Sequence, residues 1–525
     1  MPTRPNIILI LNDDMGYSDL GCYGGEVRTP HLDSLAAGGL RYTQFYNTAR
    51  CCPSRASLLT GLHPHQADVG HMMGDDGIDG YLGDLNPNAV TMAEALKGGD
   101  YACYMSGKWH VTRHIDGPKH NWPCQRGFDE FYGIIIGAAN YYQPRTLTRN
   151  NERIEPEGDD YFITDAISDE ADAQIRRHVS EEPDRPFFQY VAYTAPHWPL
   201  HAHPQDVASY AGRFDAGWDR LRGERLQRMI DLGLIDADWP LSERDERVPA
   251  WDAAENKQWE ARRMEVYAAQ IERMDRGIGR ILQALEESGQ LENTLIIFLA
   301  DNGGCAEELG EHTRNWAVNK EPVGMATTRD GRRIQYGNTP GVMPGGEETY
   351  QSYGIPWANV SNTPFRLYKH WVHEGGIATP LIAHWPAGIA GRGELRRQPA
   401  QLPDIMATFL DVAGVDYPVT RQGEQVKPLE GFSMAPTFRD EDHGREVLYW
   451  EHEGNRAIRR GRWKLVRKYP GDWELYDLDS DRTELMDLAA TEPEIVAELM
   501  ALYALWEARC GVADWDELLA MRAEG

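Results

Sequence analysis

Apolar residues in this chain gather into short unbroken runs, and several of these runs stop at a polar cluster. Ile7-Ile8-Leu9-Ile10-Leu11 ends in Asn12-Asp13-Asp14. Tyr101 to Met105 leads into Gly107-Lys108-Trp109-His110, and Pro186 to Tyr193 leads into Thr194-Ala195-Pro196-His197. Thr294 to Ala300 leads into Asp301-Asn302, and Pro380 to His384 is a further run. Continuous apolar runs of this length read as strands buried on both faces, the habit of a mostly parallel sheet covered by helices. Helical spacing appears between them, around His31 to Gly39, Thr91 to Leu96 and Pro403 to Val412. The clearest case is Met264, Tyr267, Ile271, Met274, Ile278, Ile281 and Leu285, which recur at three- and four-residue steps until Gly289. That stripe reads as core.

Two stretches break the pattern. Residues 205–256 are polar and rich in Trp, Arg and Asp, and read as an elaborated loop with short helices. Residues 310–362 are dense in Gly, Asn and Thr, and a loop so long inside a compact domain usually shapes a site. Glu311 and His312 lie within it. The tail changes character: Val447 to Trp450, Arg456 to Arg459, Trp463 to Val466 and Trp473 to Tyr476 read as short strands between glycine turns. Ile495, Leu499, Leu502 and Trp506 mark a helix packed on that small sheet. The expectation is an α/β protein of two domains: a large α/β/α sandwich over 1–420 and a smaller antiparallel sheet with a helix over 421–525.

Charge narrows the partners. There are 53 Lys and Arg against 82 Asp and Glu, a net charge of −29. Such a field disfavours nucleic acid and anionic membrane surfaces. An anionic substrate would need a local cationic pocket. The run at Ile7 is too short for a signal-peptide core, and no run approaches membrane-spanning length, so the expectation is a cytoplasmic protein. The seven cysteines, at 22, 51, 52, 103, 124, 305 and 510, are sparse and unpatterned, which argues against a disulfide framework.

The chemistry centres on Cys51-Cys52-Pro53-Ser54-Arg55-Ala56-Ser57-Leu58-Leu59-Thr60-Gly61. Pro53 suits the first turn of a helix, Ala56 to Leu59 are good helix formers, and Gly61 can stop it. Cys51 therefore stands at or just before a helix N-terminus, where free N–H groups attract anions, and Arg55 adds a planar cation one turn on. Asp13 and Asp14, beyond the end of a strand where α/β sheets bind ligands, repel one another unless something cationic separates them.

The stretch matches C-x-P-S-R-x-x-x-L-T-G at every fixed position, which is the signature of the sulfatases, and the chain resembles the bacterial arylsulfatases throughout. N-D-D, G-K-W-H, A-P-H-x-P, A-D-N-G and the lysine before H-E-G-G follow in family order. The resemblance implies the fold of the alkaline phosphatase superfamily and conversion of Cys51 to formylglycine by a maturation enzyme. Hydration of that aldehyde gives one hydroxyl to attack sulfur and another whose deprotonation expels sulfate. It also implies Asp13, Asp14, Asp301 and Asn302 as oxygen ligands of one calcium ion that also touches position 51, magnesium being able to satisfy similar ligands. Arg55 and Lys108 would stabilise the ionised diol, and His110 would take its second proton. His197 and Lys369 would grip the sulfate from the leaving-group side, His197 assisting the departing alkoxide. The implied activity is hydrolysis of sulfate monoesters, aryl sulfates first. A phosphonate monoester or phosphodiester hydrolase of the same superfamily is the alternative, and a silent calcium-binding protein is the outcome if Cys51 stays a thiol. His63, His65 and His71 do not share one helical face and read as pocket wall or surface. Cys52 occupies a variable position of the signature.

Overall fold

The computed structural model describes residues 4–310 and 325–524. Seven strands form the centre of an eleven-stranded sheet: β1 (Asn6–Asn12), β2 (Leu40–Tyr46), β3 (Ala102–Lys108), β4 (Glu130–Ile134), β5 (Phe187–Ala192), β6 (Thr294–Ala300) and β7 (Ala378–His384). Their order across the sheet is β2-β7-β6-β1-β5-β3-β4. From β6 to β4 every neighbouring pair is parallel, while β7 runs antiparallel to β6 and β2.

Alternation of side chains explains the layers. Ile8 and Ile10 point into one apolar cluster, and Ile7, Leu9 and Leu11 into another on the opposite face. The first is covered by α1 (Pro30–Ala37), α3 (Ile163–Glu181) and α4 (Lys257–Glu287); the second by α2 (Cys51–Thr60) and α5 (Leu402–Ala413). Ile7 to Leu11 are fully buried. Five such side chains contribute on the order of 10 kcal/mol, an upper figure because unfolded chains also bury surface. Burial on that scale offsets the cost of the polar cluster at the strand ends.

Register sets that cluster. Leu11 stands opposite Ala192, Ala192 opposite Gly107, and Asn12 opposite Ala300. The parallel strands β1, β3, β5 and β6 thus finish on one edge, and the segments after them emerge together.

The tail forms a four-stranded antiparallel sheet, β8 (Val447–His452), β9 (Asn455–Arg460), β10 (Trp463–Arg467) and β11 (Trp473–Asp477), with α6 (Pro493–Cys510) on one face. Its other face, through Leu448, Trp450, Ala457 and Val466, joins the large core. A further helix, Trp515–Glu524, was not expected from the sequence. The stretch 205–256 contains a 15-residue helix, Gly217–Asp231, and the long loop contains another at Gly354–Ser361. Glu311 and His312 fall outside the described residues. Among the described residues every cysteine is free, and no helix is long and apolar enough to cross a membrane.

Candidate active site

Helix α2 begins at Cys51, behind Arg50 in extended conformation, and stops at Gly61, whose φ of +66° is the left-handed turn that a glycine adopts without penalty. All ten of its residues are buried. Arg55 donates from Nε to Asp301 Oδ2 at 3.0 Å and from Nη1 to the Lys108 carbonyl at 3.0 Å, so β3, β6 and α2 meet through one guanidinium. Its Nη2 lies 2.8 Å from Asp301 and 3.7 Å from Asp13.

Neighbouring residues on a straight strand face opposite ways, yet Asp13 and Asp14 share the site because the chain turns at Asp14, with φ of +64°. The same device serves β3, where His110 at φ of +54° ends the extended run after Lys108. Lys108 Nζ lies 2.5 Å from Asp13 Oδ2. Lys369 Nζ lies 2.7 Å from Asp14 Oδ1, and His197 Nε2 lies 3.4 Å from Asp14 Oδ2. Asn302 Nδ2 donates to Asp14 Oδ1 at 2.6 Å. Tyr141 holds the His197 loop by donating to the Thr194 and His197 carbonyls. A His110 ring nitrogen, Cys51 Sγ and Cys52 Sγ all lie within 4.8 Å of one another. The ten residues that the resemblance singled out therefore converge, none more than 6% exposed.

Electrostatics follow from that burial. Burial raises the Asp13 carboxyl, but Lys108, His197 and Arg55 outweigh it and hold the group at about 2. Burial and then the Asp13 charge push Asp301 well above the usual carboxylate range. Crowded carboxylates of this kind are what a divalent cation relieves. Asp13 Oδ1 and Asn302 Oδ1 are buried oxygens with no hydrogen-bond partner among the described residues. With Asp14 and Asp301 they make an all-oxygen donor set that fits a hard cation. A hydrogen bond with Cys52 lowers the Cys51 thiol well below its ordinary value against its burial, helped by Lys108, His110 and Lys369. Burial brings His110 down to about 4, leaving a neutral imidazole. Despite burial, Asp14 keeps the Lys369 ammonium well above its ordinary range.

Two features went unforeseen. Arg50 and Glu307 pair at 2.8 Å beside the site, and Trp198 Nε1 donates to the same carboxylate at 2.8 Å. The adjacency of Arg50 to Cys51 was the available signal. The second is a correction: His63 and His65 are buried against the tail and are neither pocket wall nor surface, while His71 stays partly exposed. His65 is fully enclosed with Nε2 2.8 Å from Glu451, His63 packs against Trp506, and His71 Nε2 lies 2.8 Å from Glu453. All three face the tail's sheet and helix.

Known proteins resemble this chain in sequence and fold. A family model described as Sulfatase matches residues 5–415, and one described as N-sulphoglucosamine sulphohydrolase, C-terminal, matches residues 365–504. An uncharacterised sulfatase of Schizosaccharomyces pombe is 32% identical over 97% of this chain and 94% of its own. An arylsulfatase of Klebsiella aerogenes is 32% identical over 82% of this chain and 91% of its own. The crystal structure of Ps i-CgsB in complex with k-i-k-neocarrahexaose superposes with a TM-score of 0.67 at 25% identity, covering 96% of this chain and 93% of that one. The large mixed sheet with a small antiparallel sheet behind it is accordingly the alkaline phosphatase-like fold. With a family model spanning most of its length and two relatives 32% identical over 97% and 82% of it, the chain belongs to the sulfatase family of sulfuric ester hydrolases.

Proposed function

We propose that this protein hydrolyses sulfate monoesters, aryl sulfates in particular, with a nucleophile formed from Cys51 and one divalent cation, calcium by preference. The observation that carries the reading is the charge balance around position 51. Asp13, Asp14 and Asp301 face Arg55, Lys108 and Lys369, three acids against three fixed cations, all buried. One divalent ion held by Asp13, Asp14, Asp301 and Asn302 would give the pocket a surplus of positive charge. A buried site of that sign attracts an anionic ester in spite of the acidic surface.

The cation, when bound, would supply Lewis-acid charge withdrawal from a sulfate oxygen. A formylglycine hydrate at position 51 would supply the attacking hydroxyl. The chain's own groups do the rest. Arg55, locked by Asp301 and the Lys108 carbonyl, and Lys108 keep fixed positive charge beside position 51. The His110 imidazole, neutral because it is buried, would be the group to take a proton from a hydroxyl at position 51. Lys369 and His197 bind the sulfate from the side of Asp14, and His197 donates toward the leaving oxygen. Aryl preference is supported by the Klebsiella relative and by Trp198, whose ring centroid lies 4.5 Å from that of His197.

Initial rates on 4-nitrophenyl sulfate, a 4-nitrophenyl phosphonate monoester and bis(4-nitrophenyl) phosphate test the assignment. The sulfate ester should lead in kcat/KM by at least about tenfold, or about 1.4 kcal/mol in the barrier. A lead for either phosphorus ester would replace this reading with the alternative within the superfamily.

A further inference from the structure

A second group of ligand-type side chains lies where three segments meet outside the cluster around Cys51. His370 follows Lys369, His452 and Glu453 sit at the turn between β8 and β9, and His71 belongs to the loop after α2. One ligand atom each of His370, His452 and Glu453 lies within 4.8 Å of the other two. His370 Nδ1 is 2.9 Å from Glu453 Oε2, and His452 Nε2 is 3.6 Å from Glu453 Oε1. The second distance is too long for a hydrogen bond. Ligands about 2.1 Å from a tetrahedral ion stand about 3.4 Å apart; the His452 distance is close to that spacing, while the His370 contact, to the other carboxylate oxygen, is an ion pair that a bound ion would replace.

The decisive residue is His452. It is 0% exposed, and neither ring nitrogen has a hydrogen-bond partner among the described residues. A fully buried imidazole with neither nitrogen hydrogen-bonded is a desolvated polar group without compensation, and a metal ion would satisfy one of those nitrogens. His71 completes the arrangement from outside. Its Nδ1 accepts from Arg522 Nη2 at 2.7 Å, so the ring proton sits on Nε2, which donates to Glu453 Oε1 at 2.8 Å. An orienting imidazole of this kind behind a ligating carboxylate is usual at metal centres. The His370 and Glu453 side chains keep 32% and 22% exposure, which gives an ion a way in.

We infer that His370, His452 and Glu453 bind one zinc-class divalent ion, with water in the fourth position and His71 positioning Glu453. Two imidazoles and a carboxylate select this class over calcium or magnesium. The ion would staple the β8–β9 turn to the segment that carries Lys369. The site does not depend on sulfatase activity, and its test reads metal, not turnover.

The full-length protein is stripped with chelator, supplied with excess calcium and titrated with Zn²⁺, then separately with Co²⁺ as a spectroscopic substitute. Expected are one zinc per chain beyond calcium and the visible absorption of four-coordinate cobalt. Glu453→Gln, which keeps the side-chain shape, and His452→Ala should each weaken zinc binding at least about tenfold, and His71→Ala should weaken it about 10-fold. Circular dichroism identifies any variant that fails to fold, and Glu453→Gln then decides. Less than one zinc per chain in the wild type, or equal zinc affinity and cobalt absorption in the wild type and folded Glu453→Gln, overturns the inference.

Discussion

Lys369 and Asp14, both buried, face each other at 2.7 Å, and Asp14 is the main counter-charge of Lys369. Truncating the lysine to alanine leaves Asp14 with Asn302 and His197 and removes one charged contact for the ester. Charged hydrogen bonds contribute about 1.5–3 kcal/mol. Lys369→Ala should therefore raise KM for 4-nitrophenyl sulfate about 10- to 100-fold with a smaller fall in kcat, measured by steady-state kinetics. An unchanged KM would take Lys369 off the substrate. At this scale the sequence was informative where a motif names its residues in order, as with Asp13, Arg55, Lys108 and Asp301. It was silent where partners come from afar without a motif. Glu307 reaches Arg50 across 257 positions; the place of Arg50 beside Cys51 marks the arginine, but nothing local marks its partner.

Elements succeed where apolar runs are pure. Thr294 to Ala300 came out residue for residue, because a strand buried on both faces leaves no other reading of Leu-Ile-Ile-Phe-Leu. Strand β2 escaped notice because Arg41 and Gln44 interrupt it; both are only half-buried at its edge of the core. Helix α3 escaped because Ile163, Ile167, Ala171 and Ile175 form a thin stripe among acidic neighbours. Loops between elements set the fine geometry, and Gly137 is the clearest case. A Cβ at that position would stand 2.4 Å from the His110 ring, so only glycine leaves the imidazole where it is. Gly137→Ala should displace a ring and little else. The expected result is a fall in kcat of about 100-fold or more, the range that general acid–base groups supply, with the melting temperature nearly unchanged. A normal kcat in a folded variant would detach His110 from the rate.

The small sheet is bound to the rest of the molecule by a buried polar network. Glu374, just beyond Lys369, lies 2.9 Å from Lys464 Nζ and 2.8 Å from Arg482 Nε, and accepts from the Tyr46 hydroxyl at 3.0 Å. Lys464 also pairs with Glu484 at 2.8 Å. Burial raises the Glu374 carboxyl, yet Lys464, Arg482 and Arg459 bring it down from 4.5 to about 2. The folded protein thus holds this carboxylate ionised at pH values where the unfolded chain protonates it. Its contribution to stability is complete above about 4.5 and is lost as the pH falls toward about 2. Thermal melts between pH 6 and about 3 should fall with acid in the wild type and fall less steeply in Glu374→Gln, which starts from a lower melting temperature at neutral pH. Equal slopes would assign the acid sensitivity elsewhere. None of this network was legible in the sequence. Four strands and a helix in the tail could be read from alternation, but which face docks, and on which charges, depends on tertiary partners.

If turnover runs through a modified Cys51, activity must follow the extent of that modification. Protein prepared with graded amounts of a formylglycine-generating enzyme is assayed on 4-nitrophenyl sulfate, with the mass of the peptide spanning position 51 read from the same samples. The expected rate is proportional to the converted fraction and extrapolates to zero for the plain thiol. A rate independent of conversion would contradict it.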